Sequence, residues 1–316
     1  MGAARRAPLR VAVPARAVAV WRFSRPHTLI GTTLSILGIY AIATSELPGS
    51  RFGDGLLDLG LTLVAGAAVN VYIVGLNQCE DVEIDRINKP HLPIPAGDLS
   101  LRMAQLIVAA SGTLAFTLAV TQGWVEIAAV VAAMAIGTAY SSPPLRLKRY
   151  PGLAAASISL VRAAVVNIGV YEHFAASLGG RPGLSPLPGP IVALTLFVLP
   201  FSLAIAVLKD VPDAEGDRRY HIATFTVRLG PERVFAVGMG LLVVAYLGMA
   251  VIGPLALPDA QGGILAAGHL IALAVLCCWA LGTDPRDPRR FAGFYMRVWA
   301  LFFLEYALVP AAVLAG

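Results

Sequence analysis

Stretches of about twenty residues with almost no charge recur along this chain of 316 residues. A helix of that length reaches across the roughly 30 Å hydrocarbon layer of a bilayer. Nine such stretches can be counted, over residues 27–47, 56–77, 102–121, 125–141, 152–174, 189–208, 232–254, 263–283 and 291–314. Composition agrees, since 57% of residues are hydrophobic and 14% charged, whereas an ordinary soluble domain carries about 25% charged residues. The chain reads as an all-α integral membrane protein, with nine transmembrane helices in 27–316 and a basic amphipathic surface segment over 1–26.

Charge placement sets the expected orientation. With the N-terminus cytoplasmic, only Arg51 and Arg181 of the 24 Lys and Arg residues fall in outer loops, and Arg162 lies inside a span. The others, including Arg5, Arg6, Arg10, Arg16, Arg22 and Arg25, gather at cytoplasmic ends, a strong positive-inside bias. The net charge of +5 is thus a topology signal. Nucleic-acid binding, which needs a solvated basic face, is excluded. The first 26 residues show no apolar core followed by a cleavage site, so they read as a surface segment rather than a targeting peptide. Cys79, Cys277 and Cys278 lack metal-type spacing and read as packing residues. The long polar loops lie on the cytoplasmic side, where function is expected.

Two of those loops are acidic. In "NQCEDVEIDRINKP", Asn77, Asp81 and Asp85 are four residues apart, so on a helix continuing past the second span they project from nearly one face. In "KDVPDAEGDRRY", directly after the sixth span, Asp210, Asp213 and Asp217 repeat the ladder at spacings of three and four. A lone acidic loop reads most simply as a solvated helix end. A second copy on the same side changes that reading, because like charges this close repel and carboxylates near hydrocarbon are costly. A cation should offset that cost. Carboxylates without His or Cys partners suit Mg²⁺, which prefers oxygen ligands and shares its shell with water and phosphate. Calcium is chemically possible, but the twelve-residue loop of a dedicated calcium site is missing. Two facing ladders suggest two or more Mg²⁺ ions gripping a polyphosphate.

The third loop, "YSSPPLRLKRYP", carries Arg146, Lys148 and Arg149 after two prolines that fix an extended turn. By itself it reads equally well as a topology anchor. Beside the ladders, these cations, with Lys209, Arg218 and Arg86, are candidates for the phosphate oxygens that the metals leave exposed. The combination implies a diphosphate head at the cytoplasmic surface and a tail among apolar helices, as in a prenyl diphosphate. Breaking its allylic C–O bond puts negative charge on the leaving diphosphate, where Mg²⁺ and Arg or Lys stabilise it.

These residues resemble the motifs of the intramembrane aromatic prenyltransferases of the UbiA type, which carry N-x3-D-x3-D and a second Asp-rich motif. Asn77, Asp81 and Asp85 match the first, and Asp210, Asp213 and Asp217 the second. Across most of the chain the similarity is to the homogentisate prenyltransferase branch, through "WRFSRPHTLIGT" at 21–32, "DVEIDRINKPHLPIPAG" at 81–97, "YSSPPLRLKR" and "KDVPDAEGDRRYHIATFTVRLG" at 209–230. The resemblance implies nine helices around a central cavity, capped by acidic loops at 77–98 and 209–230. It also implies Mg²⁺-dependent transfer of a long prenyl group to an aromatic acceptor, with loss of the acceptor's carboxylate. Cys79 and Glu80 are an unusual filling of the first motif, and Glu80 is expected to face away from the metals.

Four residues are candidates deeper in the site. Arg25 and His27, at the start of the first span, are placed to take an aromatic acceptor or its carboxylate; the plainer reading is an interface Arg and a helix-capping His. Arg162, about ten residues into the fifth span, must face protein or a wet cavity and is expected to pair with an internal acid or a substrate anion, with Asn167 and Glu172 continuing a polar thread. Tyr140 either belongs to the aromatic belt or shields a carbocation with its ring face. A terpene cyclase on the same fold, which ionises a prenyl diphosphate and needs no aromatic acceptor, carries the same head-group motifs. A transporter would place polar groups near the bilayer midplane instead.

Overall fold

The computed structural model describes residues 15–180, 186–219 and 223–316. Arg5, Arg6 and Arg10 of the N-terminal segment, Arg181 and residues 220–222 of the second acidic loop lie outside the described residues. Among those described, nine helical segments are long and apolar enough to cross a bilayer, and no strand occurs.

A short helix α1 (Ala15–Phe23) precedes the first crossing, α2 (Pro26–Glu46). The second crossing, α3 (Leu56–Glu80), is followed by the short α4 (Val82–Asn88). The third and fourth are α5 (Leu101–Gln122) and α6 (Trp124–Ser141). The fifth runs over Pro151–Gly179 and is composite: α7 (Pro151–Ser159), a π-helical stretch (Leu160–Val166) and α8 (Asn167–Gly179). The sixth is α9 (Gly189–Leu208), and two short helices follow it, α10 (Ala214–Arg219) and α11 (Phe225–Leu229). The last three are α12 (Pro231–Ala256), α13 (Gly262–Leu281) and α14 (Pro288–Leu314). The hydropathy pattern located all nine. The fifth departs most, running on to Gly179 rather than ending near 174.

Helix boundaries follow local chemistry. Pro26, Pro151, Pro231 and Pro288 open their helices, where the missing N–H costs nothing because first-turn donors have no helical acceptor. Ser100 and Asp287 cap α5 and α14 through side-chain oxygens that accept first-turn N–H groups.

Consecutive crossings pack side by side, and α14 returns against α2 to close the ring. Gly38 makes that closure possible: a Cβ there would stand 2.6 Å from the Tyr306 carbonyl oxygen. Small residues permit such backbone approach where lipid supplies no hydrophobic drive. Between α13 and α14, buried His269 and Glu305 share hydrogen bonds of 3.1 and 3.2 Å. Outward faces expose Leu255, Ile271 and Leu281, a surface suited to acyl chains. The ring encloses a cavity of about 1200 Å³ that opens beneath the acidic and basic loops.

Candidate active site

The first ladder is built differently from the single helix expected. Helix α3 stops at Glu80, and Asp81, at φ −108° and ψ 15°, links it to α4. The four-residue register nevertheless survives the break. Asp81 N–H donates to the Asn77 carbonyl at 3.1 Å and Asp85 N–H to that of Asp81 at 2.8 Å, so all three side chains still line one cavity. Asn77 Nδ2 also donates to Asp81 Oδ2 at 2.9 Å.

The second ladder faces the first across that cavity. Lys89 pairs with Asp213, and Asn88 Nδ2 donates to Asp217 Oδ1 at 3.1 Å. Gly216 lets α10 lie this close to α4, since a Cβ there would come within 1.7 Å of Asn88 Oδ1. Asp210 accepts an ion pair from Lys209 at 3.1 Å, and Lys209 Nζ also donates to Tyr140 Oη at 3.0 Å. Tyr140 is therefore a cavity residue, not an outward belt aromatic.

The basic loop folds over the first ladder. Lys148 Nζ donates to Asp81 Oδ1 at 2.6 Å, and Arg146 Nη2 reaches the same oxygen at 3.2 Å. Arg149 lines the cavity beside them. Among the described residues only two non-glycine residues have positive φ, Arg25 (49°) and Arg146 (40°), and both are at this site. Such backbone costs roughly 1–3 kcal/mol and persists where surrounding structure enforces it.

Three of the loop acids, Asp85, Asp210 and Asp217, hold their protons more tightly than free carboxylates do. Burial pushes Asp85 up to about 6, with Lys89 and Arg25 working against it. Burial, then Asp210 and Asp213, push Asp217 up to about 7. Asp210 is also raised by burial despite Lys209. On the cationic side, burial holds Lys148 below its ordinary value. Burial acts the same way on Lys209, but Asp210 and Tyr140 carry it well above. The common cause is burial, which disfavours the charged form on both sides of the cleft.

Mg²⁺ fits this donor set. The candidate ligands offer oxygen atoms only, and buried Asp85 Oδ2 has no hydrogen-bond partner among the described residues. No three His, Cys or acidic side chains among them form a ready cluster that would hold an ion. Asn77, Asp81, Asp85, Asp210, Asp213 and Asp217 would therefore hold ions jointly with a ligand's oxygens, the habit of Mg²⁺ at phosphate sites.

Below the loops, Arg25, His27 and Arg162 all line the cavity. Arg25 Nη2 approaches Asn77 Oδ1 at 3.5 Å. His27 meets the edge of Trp299 at 4.9 Å. Arg162, on the π-helical stretch, faces the cavity as expected, and of its two expected partners the internal acid is replaced by aromatic faces: its guanidinium lies over Trp299 at 4.3 Å and Phe302 at 5.4 Å. Aromatic faces stabilise a cation where no carboxylate is at hand. Asn167 accepts a 2.7 Å hydrogen bond from Tyr306 Oη, so that part of the polar thread is structural. Glu80 lines the cavity's rim and accepts from Ser142 Oγ at 3.1 Å.

Two expected cations fall outside the cavity. Arg86 is exposed and pairs with Glu83 at 2.8 Å, and Arg218 is exposed as well. The reason is angular: each follows an inward-facing Asp by one residue, a turn of about 100° on a helix. Lys89, Asn88 and Asn70 were missed. Asn70 had a signal, since it precedes Asn77 by two helical turns and faces the same cavity. The other two had none, because their partners lie in the second acidic loop.

A profile of the UbiA prenyltransferase family matches residues 30–301. The chain belongs to this family. It is similar to a homogentisate phytyltransferase of Synechocystis sp., at 44% identity over 297 residues covering 93% of this chain and 95% of that one. It is similar also to a chloroplastic homogentisate solanesyltransferase of Arabidopsis thaliana, at 37% identity covering 92% and 76%. Among solved structures, a UbiA homologue from Archaeoglobus fulgidus bound to GPP and Mg²⁺ superposes with a TM-score of 0.60 at 20% identity, covering 93% and 99% of the two chains. The apo UbiA homologue from Aeropyrum pernix gives 0.65 at 19% identity, covering 92% and 98%. The structural likeness establishes the UbiA fold, the sequence relatives make this chain a prenyltransferase, and nine helical segments among the described residues have the length and hydropathy of a multi-pass membrane protein.

Proposed function

We propose that this prenyltransferase moves a prenyl group from a prenyl diphosphate to homogentisate or a similar phenolic acid, in a Mg²⁺-dependent reaction. The observation that carries this reading is the meeting of two acidic ladders and one basic loop over a single apolar cavity. The names of the sequence relatives support homogentisate as acceptor. The positive-inside pattern supports a cytoplasmic N-terminus and a cytoplasmic loop face, with residues 1–26 as a surface segment leading into the nine-helix domain.

In this reading Asn77, Asp81, Asp85, Asp210, Asp213 and Asp217 would hold two or more Mg²⁺ ions, which would supply Lewis-acid stabilisation of the diphosphate's negative charge. Lys148, Arg146, Arg149 and Lys209 take the oxygens that remain. The allylic C–O bond breaks with its electron pair staying on the diphosphate, and the ring of Tyr140 faces the carbocation. A ring carbon of the acceptor attacks it, forming the new C–C bond. Loss of the acceptor's carboxylate as CO₂ leaves a methylene that takes a proton, balancing the one the ring gives up.

The deciding experiment incubates purified protein and Mg²⁺ with prenyl diphosphates of several lengths, with and without homogentisate, and identifies products by mass. A prenylated, decarboxylated ring is expected. A cyclised hydrocarbon or alcohol made without consuming the aromatic would replace this reading with a cyclase.

The basic loop yields a second expectation. Lys148→Ala and Arg149→Ala raise the Michaelis constant for the diphosphate, by about tenfold for the more buried Lys148 and less for exposed Arg149, and leave that for the acceptor near wild type. A loop that only anchors topology would leave both constants unmoved.

A further inference from the structure

The cavity does not end among apolar side chains. On α6 its lining continues from Tyr140 through Ile136, Ala133 and Val130 to Glu126, in the helix's first turn. Fourteen residues of helix separate Tyr140 from Glu126, roughly 21 Å at 1.5 Å per residue. Glu126 is 3% exposed, and its Oε2 has no hydrogen-bond partner among the described residues. His173 Nδ1 lies 3.8 Å from that oxygen, too far for a hydrogen bond. Thr62, which also lines this end, gives its hydroxyl to Gln122 Oε1 at 2.9 Å. The walls between the two ends are largely aliphatic and aromatic.

We propose that Glu126, backed by His173, is the floor of the prenyl-tail channel and limits chain length by presenting a carboxyl group to the tail's far end. The inference rests on the prenyl-transfer reading above. A chain that stops short of the floor buries apolar surface at every step. One isoprene unit further, the chain presses a methyl group against a buried carboxyl whose Oε2 has no hydrogen-bond partner among the described residues, and strips it of any water that serves it. Desolvating such a group without a hydrogen bond costs more than the added apolar burial returns. The limit is thus chemical rather than steric, and it rejects length without touching the head group.

The test measures kcat/KM for a ladder of prenyl diphosphates from two to nine isoprene units. Wild type is expected to fall off sharply beyond one length. Glu126→Leu, which keeps bulk and removes polarity, and Glu126→Ala should each raise the ratio of long to short substrate by about tenfold or more, and Glu126→Gln should leave it near wild type. All three should turn over the two-unit substrate normally, since it does not reach the floor. Relaxation by Ala but not Leu would make the limit steric and overturn the proposal, as would unchanged ratios in both.

A wild-type measurement covers variants that fail to fold. A terminal hydroxyl on the longest accepted chain should lower its Michaelis constant, because Glu126 accepts that hydrogen bond. The same hydroxyl on the two-unit chain, stranded among apolar walls, should raise it. Equal effects at both lengths would overturn the proposal. Absence of turnover with every substrate, including the two-unit one, would instead strike the prenyl-transfer reading itself.

Discussion

Asp81→Ala and Asp210→Ala are each expected to lower kcat by at least about a hundredfold, with helical circular dichroism and melting profile retained. Asp81 is where three side chains meet: Asn77 donates to it from α3, and Arg146 and Lys148 reach it from the basic loop. Asp210 holds Lys209 on the facing side. Removing either carboxylate deletes a proposed metal ligand and also frees cations beside the diphosphate site. The two effects have opposite signs on binding. Freed cations hold the diphosphate as well as before or better, while the charge needed to break the C–O bond is missing. The expected signature is therefore a collapsed kcat with an unchanged or lowered Michaelis constant for the diphosphate. Arg86→Ala serves as the control and should stay within about twofold of wild type, since Arg86 is exposed and pairs with Glu83. EDTA should silence the wild type and Mg²⁺ restore it. Near-normal turnover in either Asp variant would remove the two-ladder metal site.

What could be read from the sequence divides along a physical line. Hydropathy integrates over twenty residues, so all nine crossings are visible without knowing what packs against what. The ladders are visible because helical spacing is local, and Asn77, Asp81 and Asp85 kept their register even though the helix breaks at Asp81. Arg86 was misread for want of the same local rule: a residue one step after an inward Asp points elsewhere. Other features were not legible, because they are contacts between segments far apart in the chain. The Lys89–Asp213 pair spans 124 residues, and the cavity-facing Arg162 lies over Trp299 and Phe302, more than 130 residues away. Glu126 carries no motif in the sequence, and only the cavity's continuous lining shows that it faces inward.

Arg25→Ala and Arg25→Lys are expected to raise the acceptor's Michaelis constant by about tenfold to a hundredfold, with prenyl diphosphate affinity near wild type. Homogentisate is an anion at neutral pH, and the loop face already holds six acidic or amide side chains in two ladders. An anionic acceptor needs a cation of its own, away from those committed to the diphosphate. Lys148, Arg146, Lys209 and Lys89 are all paired with ladder acids. Arg25 is not: its contact is the amide oxygen of Asn77 at 3.5 Å, and its guanidinium can grip a carboxylate through two parallel hydrogen bonds that Lys cannot reproduce. Its backbone supplies an independent test. At φ 49° an arginine is strained and a glycine is not, so Arg25→Gly should melt no lower than wild type while losing acceptor affinity as Ala does. A residue kept for stability would show the reverse, a lower melting point with acceptor kinetics intact. A cyclase has no acceptor to lose, so unchanged acceptor kinetics in all three variants would withdraw Arg25 from the site, and cyclised product from wild type would withdraw the acceptor itself.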